Sequence, residues 1–397
     1  MTKLIIILSL LFAGSCLFAR RRWYAPAVLQ SGVWLLCVVT YAVLDHGMHP
    51  LRESVINAIL VWVAGFTVTT WCVQSLYVKP LLKDVTPSLP VRDVYYFFTL
   101  LTLPIMLWAV ISILQHSGGN PFSALRDANV RENDQGVRTT GFFVVFWMVS
   151  YIMELRVLSK SNLLRVIVLF LVNLFYVAIS LGKMNLMILF LSTVIILTEK
   201  GIIKLKHLFV AVPLLIGLML GLQYARGSLR NSDSSLERFT ALYVCTGLGN
   251  FNKYVEPGSS QQPGENTFRL YYAVKSKLDG GRTPVVNPIL KFKGVKIGRH
   301  GFGSNTYTAL YPFYKDFGMA GIWIFTVFFG LLFGMLFKAA EDGSVCALVL
   351  YAIWAGCIPM QIIGDTFFTV LSQNIQYLVA ALIPFVMSKY RLLEKHS

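Results

Sequence analysis

Eleven continuous apolar runs constrain this chain more than any other feature. They cover residues 4–19, 26–44, 55–76, 94–114, 139–155, 166–181, 186–197, 208–224, 319–337, 345–363 and 367–387. Each approaches the length of helix that crosses a bilayer once its ends are allowed to extend. With 56% hydrophobic residues, 14% charged residues and a mean hydropathy of +0.63, the chain has too much apolar surface for a water-soluble core. A transmembrane barrel would show short alternating segments instead of unbroken runs. The expectation is an all-α polytopic membrane protein with about eleven transmembrane helices, forming a single integral membrane domain over residues 1–397.

The apolar start resembles a signal peptide, but Arg20, Arg21 and Arg22 follow it directly. Such a cluster is normally retained in the cytoplasm. The first run is therefore read as an uncleaved helix with its N-terminus outside. Counting alternately from there puts Lys79, Lys83, Arg92, Arg156, Lys160, Arg165, Lys200, Lys204, Lys206, Lys338 and Lys389 inside. The short outer connections at 45–53, 182–185 and 364–366 carry little positive charge, as the positive-inside rule requires. The C-terminus then lies in the cytoplasm.

One long polar stretch, residues 226–316, falls between the eighth and ninth spans and faces outward. It holds 13 of the 35 Lys and Arg against six Asp and Glu. A loop of this length is translocated regardless of its charge, so its cations need another explanation. A solvated surface is one; an anionic substrate, concentrated by a basic concave surface, is the other. Within it, Ser234-Ser235-Leu236-Glu237 has capping-box spacing ahead of Phe239, Leu242 and Tyr243, predicting an amphipathic helix that ends near Gly247 or Gly249. A second such helix begins near Asn266 and stops at Gly280-Gly281. Both are expected to lie on the outer membrane surface or to lid a cavity.

Of six Cys, only Cys245 lies outside an apolar run, so the polar loop cannot close an internal disulfide. The six His are scattered, without zinc-site spacing. Neither a metal nor a cofactor is expected, nor is nucleic acid a partner.

The segment from Gly298 to Thr306 combines Gly-rich backbone, Arg299, His300 and a Ser304-Asn305 cap. Free N–H groups at a helix start attract phosphate oxygens, and Arg299 adds a charge-assisted fork. An ordinary N-cap explains the same letters. Pro312 is expected to end or kink the short helix that follows. Arg226 and Arg230 leave the eighth span at the outer surface, where an anionic substrate would meet them or where an anchoring Arg would snorkel. Lys183 lies in a turn between two runs that total only 32 residues, so it should sit below the outer surface, where a cation needs a partner or a wet groove. His300 has a pKa suited to base catalysis. Asp316 and Asp365 are rival carboxylates near the outer ends of spans, which a cap or an ion pair explains equally well.

The stretch Asn305-Thr306-Tyr307-Thr308-Ala309-Leu310-Tyr311-Pro312-Phe313-Tyr314-Lys315-Asp316-Phe317-Gly318-Met319-Ala320-Gly321, set after a long outer loop and before a late span, resembles the signature of Wzy-type O-antigen polymerases. The layout of spans and loops is similar as well. The resemblance implies a metal-independent glycosyltransferase with a GT-C-like fold in the bacterial inner membrane. Its loop 226–316 would be periplasmic, and it would move a growing glycan from undecaprenyl pyrophosphate onto a fresh lipid-linked repeat unit. A chain-length regulator of polysaccharide copolymerase type would be a partner alongside the lipid-linked oligosaccharide and the bilayer. Arg226, Arg230, Arg299 and Lys183 would then hold pyrophosphate; the related enzymes often carry Arg at the Lys183 turn. His300 or Asp316 would orient the acceptor, with Asn305, Tyr307, Tyr311 and Asp365 at the sugars. An O-antigen ligase is the alternative of the same fold, but the ligase His that precedes the equivalent of Asn305 is Ser304 here. A flippase or transporter would show repeated halves, and none is found.

Overall fold

A computed structural model describes residues 1–19, 22–44, 46–76, 82–115, 121, 124–125, 135–180, 182–225, 240–287, 293–297 and 300–394. In chain order its helices are α1 (Thr2–Phe18), α2 (Pro26–Val43), α3 (Glu53–Ser75), α4 (Leu89–Gln115), α5 (Gln135–Arg156), α6 (Leu163–Ser180), α7 (Lys183–Glu199), α8 (Leu208–Ala225), α9 (Thr246–Tyr254), α10 (Arg269–Leu278), α11 (Leu310–Glu341), α12 (Val345–Trp354), α13 (Cys357–Met360) and α14 (Leu371–Glu394). Between α10 and α11, β1 (Lys293–Ile297) and β2 (His300–Ser304) form an antiparallel hairpin. Among the described residues, α2, α3, α4, α6, α11 and α14 are long and apolar enough to cross a membrane. This is the architecture of a multi-pass membrane protein.

The chain divides into two compact units, each drawn from three stretches of sequence. The first comprises Met1–Val78, Asp233–Lys338 and Cys357–Ser372. In it α1, α2 and α3 pack together, and α3 lies along α11. The α3–α11 contact is close because small residues meet there: Thr326 Oγ1 donates to the Trp62 carbonyl at 2.6 Å, and Gly330 faces Thr69. Rings fill the space beside it. Phe313 stacks on Phe325 at 4.3 Å between centroids and on Trp62 at 5.6 Å, and Phe329, Phe367 and Phe368 close the cluster edge-on. One buried polar residue organises this apolar core. Gln361 Oε1 accepts hydrogen bonds from both Trp34 Nε1 at 3.0 Å and Trp62 Nε1 at 2.9 Å, which ties α2 and α3 to the segment after α13.

The second unit comprises Lys79–Ser232, Ala339–Gly356 and Gln373–Ser397. Its core includes Met106, Val144, Trp147, Val172 and Ile179. Trp147 Nε1 donates to Thr102 Oγ1 at 2.8 Å, and Asn173 Nδ2 donates to the Trp147 carbonyl at 3.2 Å. At one end, the buried Glu154 receives Arg92 at 2.9 Å and Asn162 Nδ2 at 2.7 Å, while Arg165 pairs with Asp93. A buried carboxylate persists only with such partners. Lys200 Nζ reaches the Arg156 carbonyl at 3.0 Å in the same region. Arg92, Arg156, Arg165 and Lys200, all assigned to one side from their sequence positions, thus gather at one end of the unit.

Four local expectations are corrected. Pro312 neither ends nor kinks a helix, because α11 begins only at Leu310 and places Pro312 in its first turn, where no N–H is needed. The interruption falls at Gly318, at φ 60° and ψ −142°, backbone geometry open to glycine and costly for other residues. The helix predicted to stop at Gly247 or Gly249 runs on to Tyr254, preceded by a π-helical turn at Ala241–Cys245. Gly247 is there for close approach, since a Cβ would lie 2.2 Å from the Ile362 carbonyl oxygen. The Gly-rich segment before Asn305 is paired backbone in β2 and does not open a helix. Finally, the run 345–363 is not one helix. It breaks at Ala355-Gly356, resumes as α13, and α14 starts only at Leu371.

Gly247→Ala should therefore push α9 off the 361–363 backbone and destabilise the protein by about 1–3 kcal/mol. Gly141→Ala, which adds a Cβ with nothing within 4 Å, should not. Thermal unfolding of the two variants in detergent checks the contrast.

Candidate functional site

The motif that follows β2 lies wholly in the first unit, and side chains of α9 and the backbone after α13 hold it. Asn250 of α9 is fully buried, and its Nδ2 donates to the carbonyls of Ser304 at 3.3 Å and Thr306 at 2.9 Å. The hydroxyls of Thr246, Thr306 and Ser304 form a chain, 3.0 Å and 2.8 Å apart. Ala309 N–H donates to the Gln361 carbonyl at 2.7 Å, joining the motif to the broken segment between α12 and α14. Non-helical backbone at this depth is stable only when its polar groups find partners in the protein.

Three N–H groups along the stretch that leads into α11 are engaged within the protein. Thr306 N–H donates to Ser304 Oγ at 3.3 Å, Ala309 N–H to Gln361, and Tyr311 N–H to the Thr308 carbonyl at 3.0 Å. Ser304 and Asn305 do not cap α11, whose first residue lies five positions beyond Asn305.

Asp316 is buried in the first segment of α11. Its carboxylate accepts hydrogen bonds from Asn266 Nδ2 at 2.6 Å, Asn266 N–H at 3.1 Å and Thr267 N–H at 2.8 Å. Three donors take up most of its lone pairs. Two residues further on, the break at Gly318 leaves helix carbonyls without their usual donors. Gly258 N–H takes the Tyr314 carbonyl at 3.1 Å and Ser260 N–H takes that of Lys315 at 3.3 Å. The segment 258–268 is thereby fastened to the start of α11.

Tyr307 and Tyr311 lie 5.0 Å apart between ring centroids. Tyr307 is buried, whereas Tyr311 stays half-exposed and accepts a hydrogen bond from Lys315 Nζ at 3.0 Å. Burial pushes the Tyr307 phenol up to about 12, with Tyr311 and Tyr254 adding to the shift. Lys253 and Lys293 stand over the Tyr254 ring at 5.1 and 5.4 Å, and Lys315 over Tyr311 at 5.3 Å. Three ammonium groups and three phenols therefore line one patch. The sequence pointed to Tyr307 and Tyr311 but not to Tyr254, Lys253 and Lys293, because these come from α9 and β1, far from the motif along the chain.

Asp365 caps the turn before α14. Its oxygens accept the N–H groups of Phe367 at 3.0 Å, Phe368 at 3.2 Å and Thr369 at 2.7 Å. Burial raises its carboxyl above the usual carboxylate range against the pull of these bonds, although part of its surface remains accessible. With Trp62, Ala309 and Gln361 it lines a cavity of about 10 Å³, room for one water molecule.

Asn305 is half-buried between Ser304 and Thr306. His300 opens β2, in register with Ile297. Arg226, Arg230 and Arg299 lie outside the described residues. Lys183 belongs to the second unit, where it is half-buried as the first residue of α7. That is the helix end that favours anions over cations. Among the described residues, no group of His, Cys, Asp and Glu could hold a metal ion.

No protein-family model and no solved structure matches the chain. Among curated proteins, it is 19% identical over 397 residues to one from Escherichia coli (strain K12) named "Putative O-antigen polymerase", an alignment spanning 96% of this chain and 97% of that protein. The alignment thus runs nearly from end to end of both chains.

Two outcomes follow from this geometry. Asn250→Leu leaves two buried carbonyls without a donor and should cost about 1–3 kcal/mol, measurable as a lower unfolding midpoint together with faster proteolysis near residue 305. The raised phenol of Tyr307 favours the fold while neutral. Its contribution is complete below the ordinary tyrosine value near 10 and is lost as pH rises towards about 12. Tyr307→Phe should unfold less steeply than the native chain over that alkaline window in a pH-dependent melting series.

Proposed function

We propose that this chain is a membrane glycosyltransferase of the O-antigen polymerase type, acting on lipid-linked oligosaccharide repeat units at the outer face of the bacterial inner membrane. The end-to-end similarity to the Escherichia coli protein carries this proposal, and the multi-pass architecture and the motif at residues 305–321 agree with it.

The reaction forms a glycosidic bond between an acceptor hydroxyl and the anomeric carbon of the donor glycan, and breaks the bond from that carbon to undecaprenyl pyrophosphate. The leaving group departs readily once its charge is neutralised. Arg226, Arg230 and Arg299 are assigned that role, together with Lys253, Lys293 and Lys315 of the tyrosine patch. Lys183, in the other unit, is proposed to bind an anion on the strength of its half-buried place at a helix start, and its own substitution tests it. His300 is the candidate base for the acceptor proton. Asp316, whose oxygens are already engaged, acts through the segment 264–268 that it holds. Tyr311 offers a half-exposed ring on which a sugar can stack, while the buried Tyr307 supports it. Asn305, at the start of that motif, and Asp365, which lines a small cavity with Ala309, are assigned to the acceptor sugar. A chain-length regulator of copolymerase type is proposed as a partner.

Purified protein in proteoliposomes, supplied with undecaprenyl-pyrophosphate-linked repeat units, should produce a ladder of longer lipid-linked glycans. Arg299→Ala and the double substitution Lys253→Ala/Lys293→Ala should each slow it by about 10²-fold, the scale of losing one charge-stabilising contact in a transition state. His300→Ala should abolish the ladder. A product that appears only when a lipid A core acceptor is added would mean ligation instead of polymerisation.

A further inference from the structure

The helix α10 presents an apolar stripe that no described part of the chain covers. At about 100° per residue, Tyr271, Leu278 and Val274 fall within an arc of about 60° on one side of it. They are 61%, 84% and 49% exposed, whereas Tyr272, on the opposite side, is 8% exposed and donates its hydroxyl to the Pro263 carbonyl at 2.8 Å. Lys275 and Lys277, both exposed, stand about 40° and 60° beyond the two edges of that stripe on the same helical geometry. An apolar stripe bordered by lysines on both sides matches a helix lying in a membrane interface, with the rings and alkyl groups among acyl chains and the ammonium groups reaching headgroups.

Its attachment fixes its depth. Phe268, directly before α10, packs on Phe317, Phe325 and Phe368 with centroids 6.1, 6.1 and 6.3 Å away. Phe325 lies in the membrane-crossing part of α11, two residues beyond Trp323, whose ring is 53% exposed. Exposed Trp side chains in the first turns of a span mark the headgroup level. The start of α10 is therefore held beside the point where α11 enters the bilayer.

We infer that α10 is an interfacial anchor, seated on the bilayer through Tyr271, Val274 and Leu278 and drawn to anionic headgroups through Lys275 and Lys277. It would hold residues 264–268, and the Asp316 contacts made by Asn266 and Thr267, at headgroup depth. The inference requires only that α11 crosses the membrane and is independent of the reaction performed.

The test uses the full chain in nanodiscs, with the two exposed cysteines removed by Cys16→Ser and Cys72→Ser. The environment-sensitive fluorophore NBD is attached at Val274→Cys, Leu278→Cys or, as an aqueous control, Ser259→Cys. The labels at 274 and 278 should emit at shorter wavelength than the control, lose most of their emission in brominated lipid and resist iodide. Quenching by iodide and not by brominated lipid would overturn the inference, placing the stripe in water. Shielding from both quenchers would overturn it too, because protein would then cover the stripe. The native chain gives an independent readout. Hydrogen exchange over residues 269–278 should slow when phosphatidylglycerol replaces part of the zwitterionic lipid, and exchange indifferent to that change would contradict the role given to the lysines.

Discussion

The break in α11 at Gly318 is the constraint around which the first unit is arranged. A helix entering a bilayer must satisfy its backbone internally, and a glycine at φ 60° releases carbonyls that would otherwise be bonded along the helix. The Tyr314 and Lys315 carbonyls recover donors from Gly258 and Ser260, and Asp316, between them and the break, takes three more from residues 266 and 267. The break thus converts a helix end into a docking rail for the polar segment. Without it α11 would run straight, and that segment would have no fixed edge.

From this rail the order spreads in two directions. Towards the membrane, the rings of Phe313, Phe317 and Phe325 gather Phe268 and Phe368 around them. On its other flank, α9 clasps both the motif at 304–306 and the connection between α2 and α3. The Arg52 N–H donates to Asn252 Oδ1 at 2.8 Å, and the Arg52 guanidinium reaches the Val255 carbonyl at 2.8 Å and Glu256 at 2.7 Å. The polar stretch is therefore no loose insertion where it is described. Its helices and turns are fastened at several points to the apolar scaffold.

Much of this scaffold was legible in the sequence. Long unbroken apolar runs have one physical solution in a membrane, and ten of the eleven runs lie largely on a single helix each, the run 345–363 being the one that is broken. The stop of α10 at Gly280-Gly281 was equally plain, since Gly281 N–H closes the helix end on the Ser276 carbonyl at 2.7 Å. What remained hidden has a common cause. Gly247 and Gly318 are the same letter used for close approach and for a helix break, and only their neighbours in space tell these uses apart. Pro312 reads as a helix breaker until the helix start is known. Asn250 and Gln361 look like unremarkable polar residues within apolar surroundings, yet each bridges elements far apart in sequence. The lysines over Tyr254 went unseen for that reason too, whereas Tyr307, Tyr311 and Asp316 announced themselves through a contiguous motif.

The proposed chemistry asks for cations at a leaving pyrophosphate and for an acceptor held close by. The described part of the first unit supplies lysines beside half-exposed phenols, next to a motif braced by α9 and the backbone after α13. Cells lacking this chain give the most direct measurement. Their lipopolysaccharide, separated on a gel, should carry core capped with a single repeat unit and no longer ladder, restored by the native chain. An unchanged ladder, or bare core with polymer accumulating on its lipid carrier, would contradict the assignment of this protein as a polymerase.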